Sequence, residues 1–308
     1  MTVLNMQIHS NIADEKDWLE KLKDFCFAQG WTIDEYQTDK NWQSNTGFVN
    51  GGGSGDDYLF VSSSGFGSQN LVFRMKTFES GTPNSNYIQM GGFTDTSFDI
   101  ATSTNPVLQT DKFNTNQLAV GLPSSTILRA WFFGNDKFIY VATQIESDYV
   151  EHFAFGSVEL FNPAETEGNF AGYNRTSTLQ HWFNKNSAFP PFDTVDRSVL
   201  FNGIGKTTAD AGTNFILSTN TTNVGKFFGY GHLITPNNFS EVRPMQKQIY
   251  YVEDSGDGQW FPLGQTWIYR VNTTDLNIGE SIFYGTEEYI CFPYRTPNEV
   301  MGVAVKVS

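Results

Sequence analysis

The chain has few charged residues, and basic ones are the scarcer kind. Of its 308 residues 17% are charged, with 19 Lys and Arg against 33 Asp and Glu, for a net charge of −14. Nucleic-acid-binding proteins need a basic surface, because much of their affinity comes from contacts with phosphates. The acidic balance therefore predicts no nucleic-acid partner, and it also disfavours anionic membrane surfaces.

Cysteines and long apolar runs are also lacking. Two cysteines, Cys26 and Cys291, lie far apart in the sequence, a pattern that predicts neither a disulfide framework nor a zinc site. No run approaches the roughly 18 apolar residues of a membrane span. The first residues lack the basic and apolar segments of a signal peptide, so we expect neither a signal peptide nor a membrane partner.

Catalytic motifs are the third absence. The segment 203–208, GIGKTT, resembles a phosphate-binding loop, but Leu200 replaces the first glycine of that motif and a turn follows where a helix is required. There is no Gly-x-Ser-x-Gly elbow, and none of the histidines has a metal-type partner at short spacing. His152 and His232 lie in aromatic strands, where we expect hydrogen-bonded structural histidines. We predict no enzyme and no cofactor.

Acidic residues beside glycines leave metal binding open at two places. Asp254 and Asp257 alternate with glycines, and Asp56 and Asp57 follow a glycine-rich segment. Neither place matches a known calcium loop, because the required glutamate and flanking helices are missing. Turn formation is the main expectation for these aspartates.

Aromatic residues, in contrast, are abundant, at 16% of the chain with 28 Phe. One helix is predicted at 13–29, with Trp18, Leu19, Leu22, Phe25 and Cys26 on one stripe. The rest reads as short strands separated by turns. The predicted strands are 31–36, 57–62, 71–78, 87–93, 127–133, 137–145, 149–161, 198–202, 214–217, 226–233, 246–253, 265–272, 281–283, 288–292 and 302–307.

These patterns predict a mainly β protein of the β-sandwich or jelly-roll-like kind, with two sandwiches and one N-terminal helix. We expect the helix and the first sandwich within 1–165. An irregular connection over 166–195, rich in Asn, Gly and Pro, leads to a second sandwich over 196–308.

A hairpin is predicted where two aromatic strands flank Gly134, Asn135 and Asp136. We expect its strands to carry Trp131, Phe133, Phe138 and Tyr140, with alternate side chains in the core. Asp136 is predicted to form the turn and not to act as a catalyst. Gly134 and Asn135 both tolerate a positive φ, which such a turn can require.

Tryptophan and tyrosine also stack on sugars in many binding clefts. Most tryptophans of this chain lie in predicted strands, where core packing explains them. Trp42 and Trp182 lie in looser segments and are the candidate contacts with a glycan or a partner.

Several segments resemble structural proteins of tailed bacteriophage virions. They are 131–142 (WFFGNDKFIYVA), 151–160 (EHFAFGSVEL), 168–173 (GNFAGY), the ending 291–295 (CFPYR), and the helix that ends at Gly30 and Trp31. The resemblance implies a non-enzymatic component of a head, neck, tail or baseplate. Such a protein is made in the host cytoplasm, associates with itself as a homo-oligomer and contacts other virion proteins. The resemblance carries no active-site residues.

Two other functions remain open. A virion protein of this composition could recognise host-surface glycans as a receptor-binding component. A glycan-cleaving enzyme, which would use a pair of acidic residues, is the third hypothesis.

Overall fold

A computed structural model describes residues 4–40, 56–64, 71–78, 87–93, 118–121, 127–145, 149–158, 168–173, 198–202, 215–217, 243, 245–253, 260–293 and 301–307. Within them the chain forms one helix and three antiparallel sheets. The prediction of a mainly β fold with one N-terminal helix is confirmed.

The central sheet has six strands. In spatial order they are β1 (Asn5–Ser10), β7 (Ile127–Gly134), β8 (Phe138–Ile145), β9 (Tyr149–Val158), β10 (Gly168–Tyr173) and β11 (Ser198–Asn202). Successive strands from β7 to β11 pair as a meander, and β1 joins its edge from a distant part of the sequence.

Two further sheets complete the fold. The N-terminal sheet is a meander of β2 (Thr32–Lys40), β3 (Asp56–Ser63), β4 (Leu71–Phe78), β5 (Tyr87–Phe93) and β6 (Leu118–Gly121). The C-terminal sheet has the order β12 (Phe215–Leu217), β13 (Met245–Glu253), β14 (Trp260–Asn272), β17 (Met301–Lys306), β16 (Glu287–Pro293) and β15 (Glu280–Tyr284). Because β15, β16 and β17 form consecutive hairpins and β14 pairs with β17, these strands make a Greek key, which is common in sandwiches.

The helix α1 spans Glu15–Ala28, within the predicted range 13–29. Asp14 caps it, since its side chain accepts a hydrogen bond of 2.8 Å from the amide of Asp17. Gly30 follows the last turn, and its amide donates to the carbonyl of Phe27. All five residues of the predicted stripe are buried.

The first core lies between the central sheet, α1 and the N-terminal sheet. Phe155 of β9 contacts Phe73 of β4, with ring centroids 5.0 Å apart, and Trp31 at 5.3 Å. Phe132 of β7 contacts Trp18 and Phe25 of the helix.

The second core lies on the opposite face of the central sheet, against the C-terminal sheet. Trp131 and Phe133 of β7 contact Phe292 of β16 at 5.1 and 5.8 Å, and Phe138 of β8 contacts Trp267 of β14 at 5.3 Å. Strand side chains alternate between the two faces. The central sheet is therefore buried on both faces at β7 and β8, which explains why these strands read as nearly continuous aromatic and aliphatic runs.

The predicted hairpin is confirmed as β7 and β8, with Gly134 opposite Ile139. Trp131, Phe133, Phe138 and Tyr140 all belong to the second core, while the side chains between them fill the first. The φ of Gly134 is not positive. This residue must instead be small, because a Cβ there would lie 2.6 Å from Ile139 Cδ1 and 2.9 Å from Phe25 Cε1.

Three strands, β1, β6 and β10, were not predicted. Strand β10 lies in the segment expected to be an irregular connection, and β11, placed in the second sandwich, pairs with it in the central sheet. The predicted strand 226–233 lies outside the described residues. The proposed boundaries 1–165, 166–195 and 196–308 stay predictions.

Candidate functional site

Both cysteines are buried in separate cores. Cys26 belongs to the first core, and Cys291 lies in a cluster within the C-terminal sheet with Tyr289 and Ala304. Burial raises the pKa of the Cys26 thiol, and it raises the pKa of Cys291 to about 12. Both thiols are therefore protonated at neutral pH, so they pack as small apolar groups instead of serving as nucleophiles.

His152 is a structural histidine, as predicted. It is fully buried in β9, where its Nδ1 lies 2.5 Å from the Tyr140 hydroxyl and its Nε2 lies 3.0 Å from the carbonyl oxygen of Pro293. A carbonyl oxygen can only accept, so Nε2–H donates to Pro293. The His152 imidazole thus joins the central sheet to β16. His181 and His232 lie outside the described residues.

Asp57 is buried at the start of β3. Its Oδ1 accepts a 3.0 Å hydrogen bond from the amide of Asp39, and its own amide donates to Thr77 Oγ1 at 2.7 Å. Burial raises the pKa of this carboxyl, although the amide of Asp39 and the Lys16 ammonium act in the opposite direction. These bonds tie β2, β3 and β4 together at Asp57.

Several candidates lie where the structure gives no description. Trp42 and Trp182, the possible glycan or partner contacts, lie outside the described residues, as do Asp254, Asp257 and the phosphate-loop-like segment 203–208. Trp18, Trp31, Trp131 and Trp267, in contrast, are described and buried. None of these four can offer a stacking platform to a sugar.

The described part of the chain holds no group of three or more His, Cys, Asp or Glu side chains placed to bind a metal. Its helix is too short and too polar to cross a membrane.

The outer edge of β1 is the candidate functional surface. Strand β1 ends the central sheet and pairs with β7 on its inner side, from Asn5 opposite Gly134 to Ser10 opposite Arg129. No described strand covers its outer side, and five of its six residues are exposed. Such an edge presents a row of backbone donors and acceptors ready to pair with another strand.

The two faces of β1 differ in chemistry. Met6 and Ile8, exposed at 40% and 48%, share the face of the second core, opposite Phe133 and Trp131. Asn5 lies on the helix face and donates a 2.7 Å hydrogen bond to Gln29 Oε1. The exposed edge is therefore apolar on one face and polar on the other.

His9 is the titratable residue of β1. Its ring lies against Phe132 with centroids 5.0 Å apart, and its Nε2 is buried without a hydrogen-bond partner. Burial lowers the pKa of His9, and the nearby Lys21 ammonium lowers it further, against smaller opposite effects of Asp17 and Asp24. The strand therefore carries no full charge at neutral pH.

Sequence reasoning missed β1 as a strand. Its signal was the alternation of apolar Met6 and Ile8 with polar neighbours in NMQIHS, which is too short to stand out.

Comparisons with known proteins do not assign a family. No protein-family model matches the chain, and no curated protein matches it significantly.

Proposed function

We propose that this protein is a non-enzymatic structural component of a tailed-phage virion, which associates with itself and with other virion proteins. The proposal begins from the sequence resemblance carried by segments such as WFFGND and EHFAFGSVEL. Its localisation would be the virion, after synthesis in the host cytoplasm.

The observation that most supports the proposal is that several side chains capable of chemistry are buried in the fold. Cys26, Cys291, His152 and Asp57 are all buried, and the last two form internal hydrogen bonds between strands. A fold that uses these groups for packing, and whose uncharged edge strand β1 has no described strand on its outer side, suits assembly better than turnover.

Mass spectrometry of virions provides the test. Virions produced from the genome that encodes this chain should be purified through a density gradient and quantified against a known capsid protein. We expect peptides of this chain at a constant copy number in every particle fraction. A protein abundant in the infected cell but lost from purified particles would contradict the proposal.

A genetic experiment adds a functional test. Deleting the coding sequence should leave particles that lack a morphological part, and supplying the protein in trans should restore it. A deletion that yields infectious particles of normal morphology would count against a structural role.

A further inference from the structure

His9 lies where the strand β1 meets the helix α1. It shares the face of Asn5, which contacts the helix through Gln29, and its ring lies 5.0 Å from that of Phe132 between centroids. The buried Nε2 of His9 has no hydrogen-bond partner among the described residues. A neutral imidazole tolerates this position, because one of its two ring nitrogens carries no proton and Nε2 can be that one.

An imidazolium does not suit the same position. Both of its ring nitrogens carry a proton, so Nε2 becomes a donor that is buried without an acceptor, which is costly. The residues of β7 against His9 are Ala130, directly opposite it, and Phe132, and both are uncharged. The packing against β7 therefore favours the neutral form of His9.

The charged groups that face His9 belong to α1, and they are Asp17, Lys21 and Asp24. Both carboxylate oxygens of Asp17 already accept hydrogen bonds, Oδ1 from the Lys21 ammonium and Oδ2 from the amide of Ala13. Lys21 repels a charged imidazole, and Asp24 is exposed, so its attraction is screened. The helix therefore offers little compensation for a proton on His9.

Strand β1 is anchored differently at its two ends. After its last residue, Asn11 has a left-handed φ of +62°, and Ile12 is buried in the first core beside the helix. Before its first residue, Leu4 is buried in the second core. Between these anchors five of the six residues are exposed. A strand with one described neighbour and so few buried side chains belongs to the part of a fold that opens most easily.

We propose that β1 is an acid-sensitive strand, which separates from β7 by a swing about Asn11 when His9 takes up a proton. Leu4 leaves the second core in this movement, Ile12 stays in the first, and the backbone edge of β7 is uncovered. Strand β7 stays in the sheet because β8 pairs with its other side. This inference goes beyond the proposed function and does not depend on it.

The imidazole itself limits the size of the effect. A histidine with an ordinary pKa near 6.5 has about thirty protonated molecules for each neutral one at pH 5. The equilibrium constant for opening of β1 can therefore rise by at most about thirtyfold between neutral pH and pH 5. Burial, and then the Lys21 ammonium, lower the pKa of His9 in the closed strand, which is the direction that this coupling requires.

Native-state hydrogen exchange of the full chain at pH 7 and pH 5 tests the proposal. Protection factors are compared, because they remove the direct effect of pH on the chemistry of exchange. The protection of peptides covering Asn5–Ser10 should fall severalfold, and by no more than about thirtyfold, in acid. The protection of Phe138–Ile145 should fall less. Unchanged protection of Asn5–Ser10, or an equal fall in both segments, would overturn the proposal.

Two substitutions of His9 separate its proton from its packing. His9→Gln keeps a polar side chain and His9→Phe keeps an aromatic ring beside Phe132, but neither can be protonated. In both variants the protection of Asn5–Ser10 should change little between pH 7 and pH 5, whatever its value at pH 7. A fall as large as that of the wild type in both variants would show that His9 is not the sensor.

Leu4→Ala tests the direction of the swing. Removing the anchor before β1 should lower the protection of Asn5–Ser10 already at pH 7, and the further fall at pH 5 should match that of the wild type, because His9 is retained. Protection at pH 7 equal to that of the wild type would contradict an opening in which Leu4 leaves the second core.

Discussion

At the scale of single residues, the turn between β7 and β8 depends on Asn135 more than on its neighbours. The buried Asn135 Oδ1 accepts hydrogen bonds of 2.9 Å from the amides of Lys137 and Phe138. Its backbone carbonyl accepts from Trp31 Nε1 at 2.8 Å. Asp136, in contrast, is exposed and pairs only loosely with Lys137, at 3.7 Å.

We therefore predict opposite outcomes for two alanine substitutions. Asn135→Ala should lower the free energy of unfolding by about 1–3 kcal/mol, because the buried amide of Phe138 and the part-buried amide of Lys137 lose their acceptor. Asp136→Ala should change it by less than about 0.5 kcal/mol, as exposed substitutions usually do. Urea denaturation of both variants checks the prediction. Loss of virion incorporation or binding in Asp136→Ala at unchanged stability would show that Asp136 belongs to a site.

Gly156 in β9 should be the least replaceable glycine described. Its φ of +129° disfavours any other residue, and a Cβ there would collide with the Lys137 carbonyl oxygen and lie 2.7 Å from Phe138 Cα. Gly156→Ala should cost about 2–4 kcal/mol from strain and overpacking together. Gly285→Ala is the control, since its φ is +63° but no atom lies within 4 Å of the added Cβ. Equal losses in thermal and urea unfolding for both variants would contradict this account.

At the scale of elements, β1 should confer a pH dependence through His9. The pKa of His9 is lowered in the fold, so the unfolded chain binds the proton first as the pH falls. The contribution of His9 to stability is therefore complete above about pH 6.5 and is lost as the pH falls below that value.

A comparison with His9→Gln isolates this effect from the other histidines. The free energy of unfolding should be measured for both proteins at neutral pH and near pH 5, at concentrations where copies are separate. The wild type should lose more stability than His9→Gln over this interval. Identical losses of stability in the two proteins would mean that protonation of His9 does not destabilise the folded state.

The elements differ in how far sequence could predict them. Strands β4, β5 and β11 have the predicted bounds, because their β-branched and aromatic residues are enclosed by turn-forming segments. The pairing of β1 with β7 could not be predicted, because it joins residues more than a hundred positions apart and leaves no local pattern.

The candidate site also combines features that the sequence could predict with features that depend on tertiary packing. A structural role for His152 followed from its aromatic strand, but its partners Tyr140 and Pro293 depend on the tertiary packing of β8 and β16. The position of Asp57 next to glycines left a metal site open. Its hydrogen bonds with Asp39 and Thr77 join three different strands, so they could not be predicted from the sequence around Asp57.

At the scale of the whole molecule, the aromatic strands β7 and β8 of the central sheet are covered on both faces. Strand β8 is the middle of this arrangement. It is paired with β7 on one side and β9 on the other, and seven of its eight residues are buried. Strand β1 has one paired side, exposed side chains and no described cover on its outer edge.

Native-state hydrogen exchange followed by mass spectrometry tests this claim most directly. At a dilution where copies are separate, we predict that peptides covering Phe138–Ile145 exchange slowest of the described strands, and only through global unfolding. Peptides covering Asn5–Ser10 should exchange much faster. Exchange in Phe138–Ile145 as fast as in Asn5–Ser10 would contradict the account.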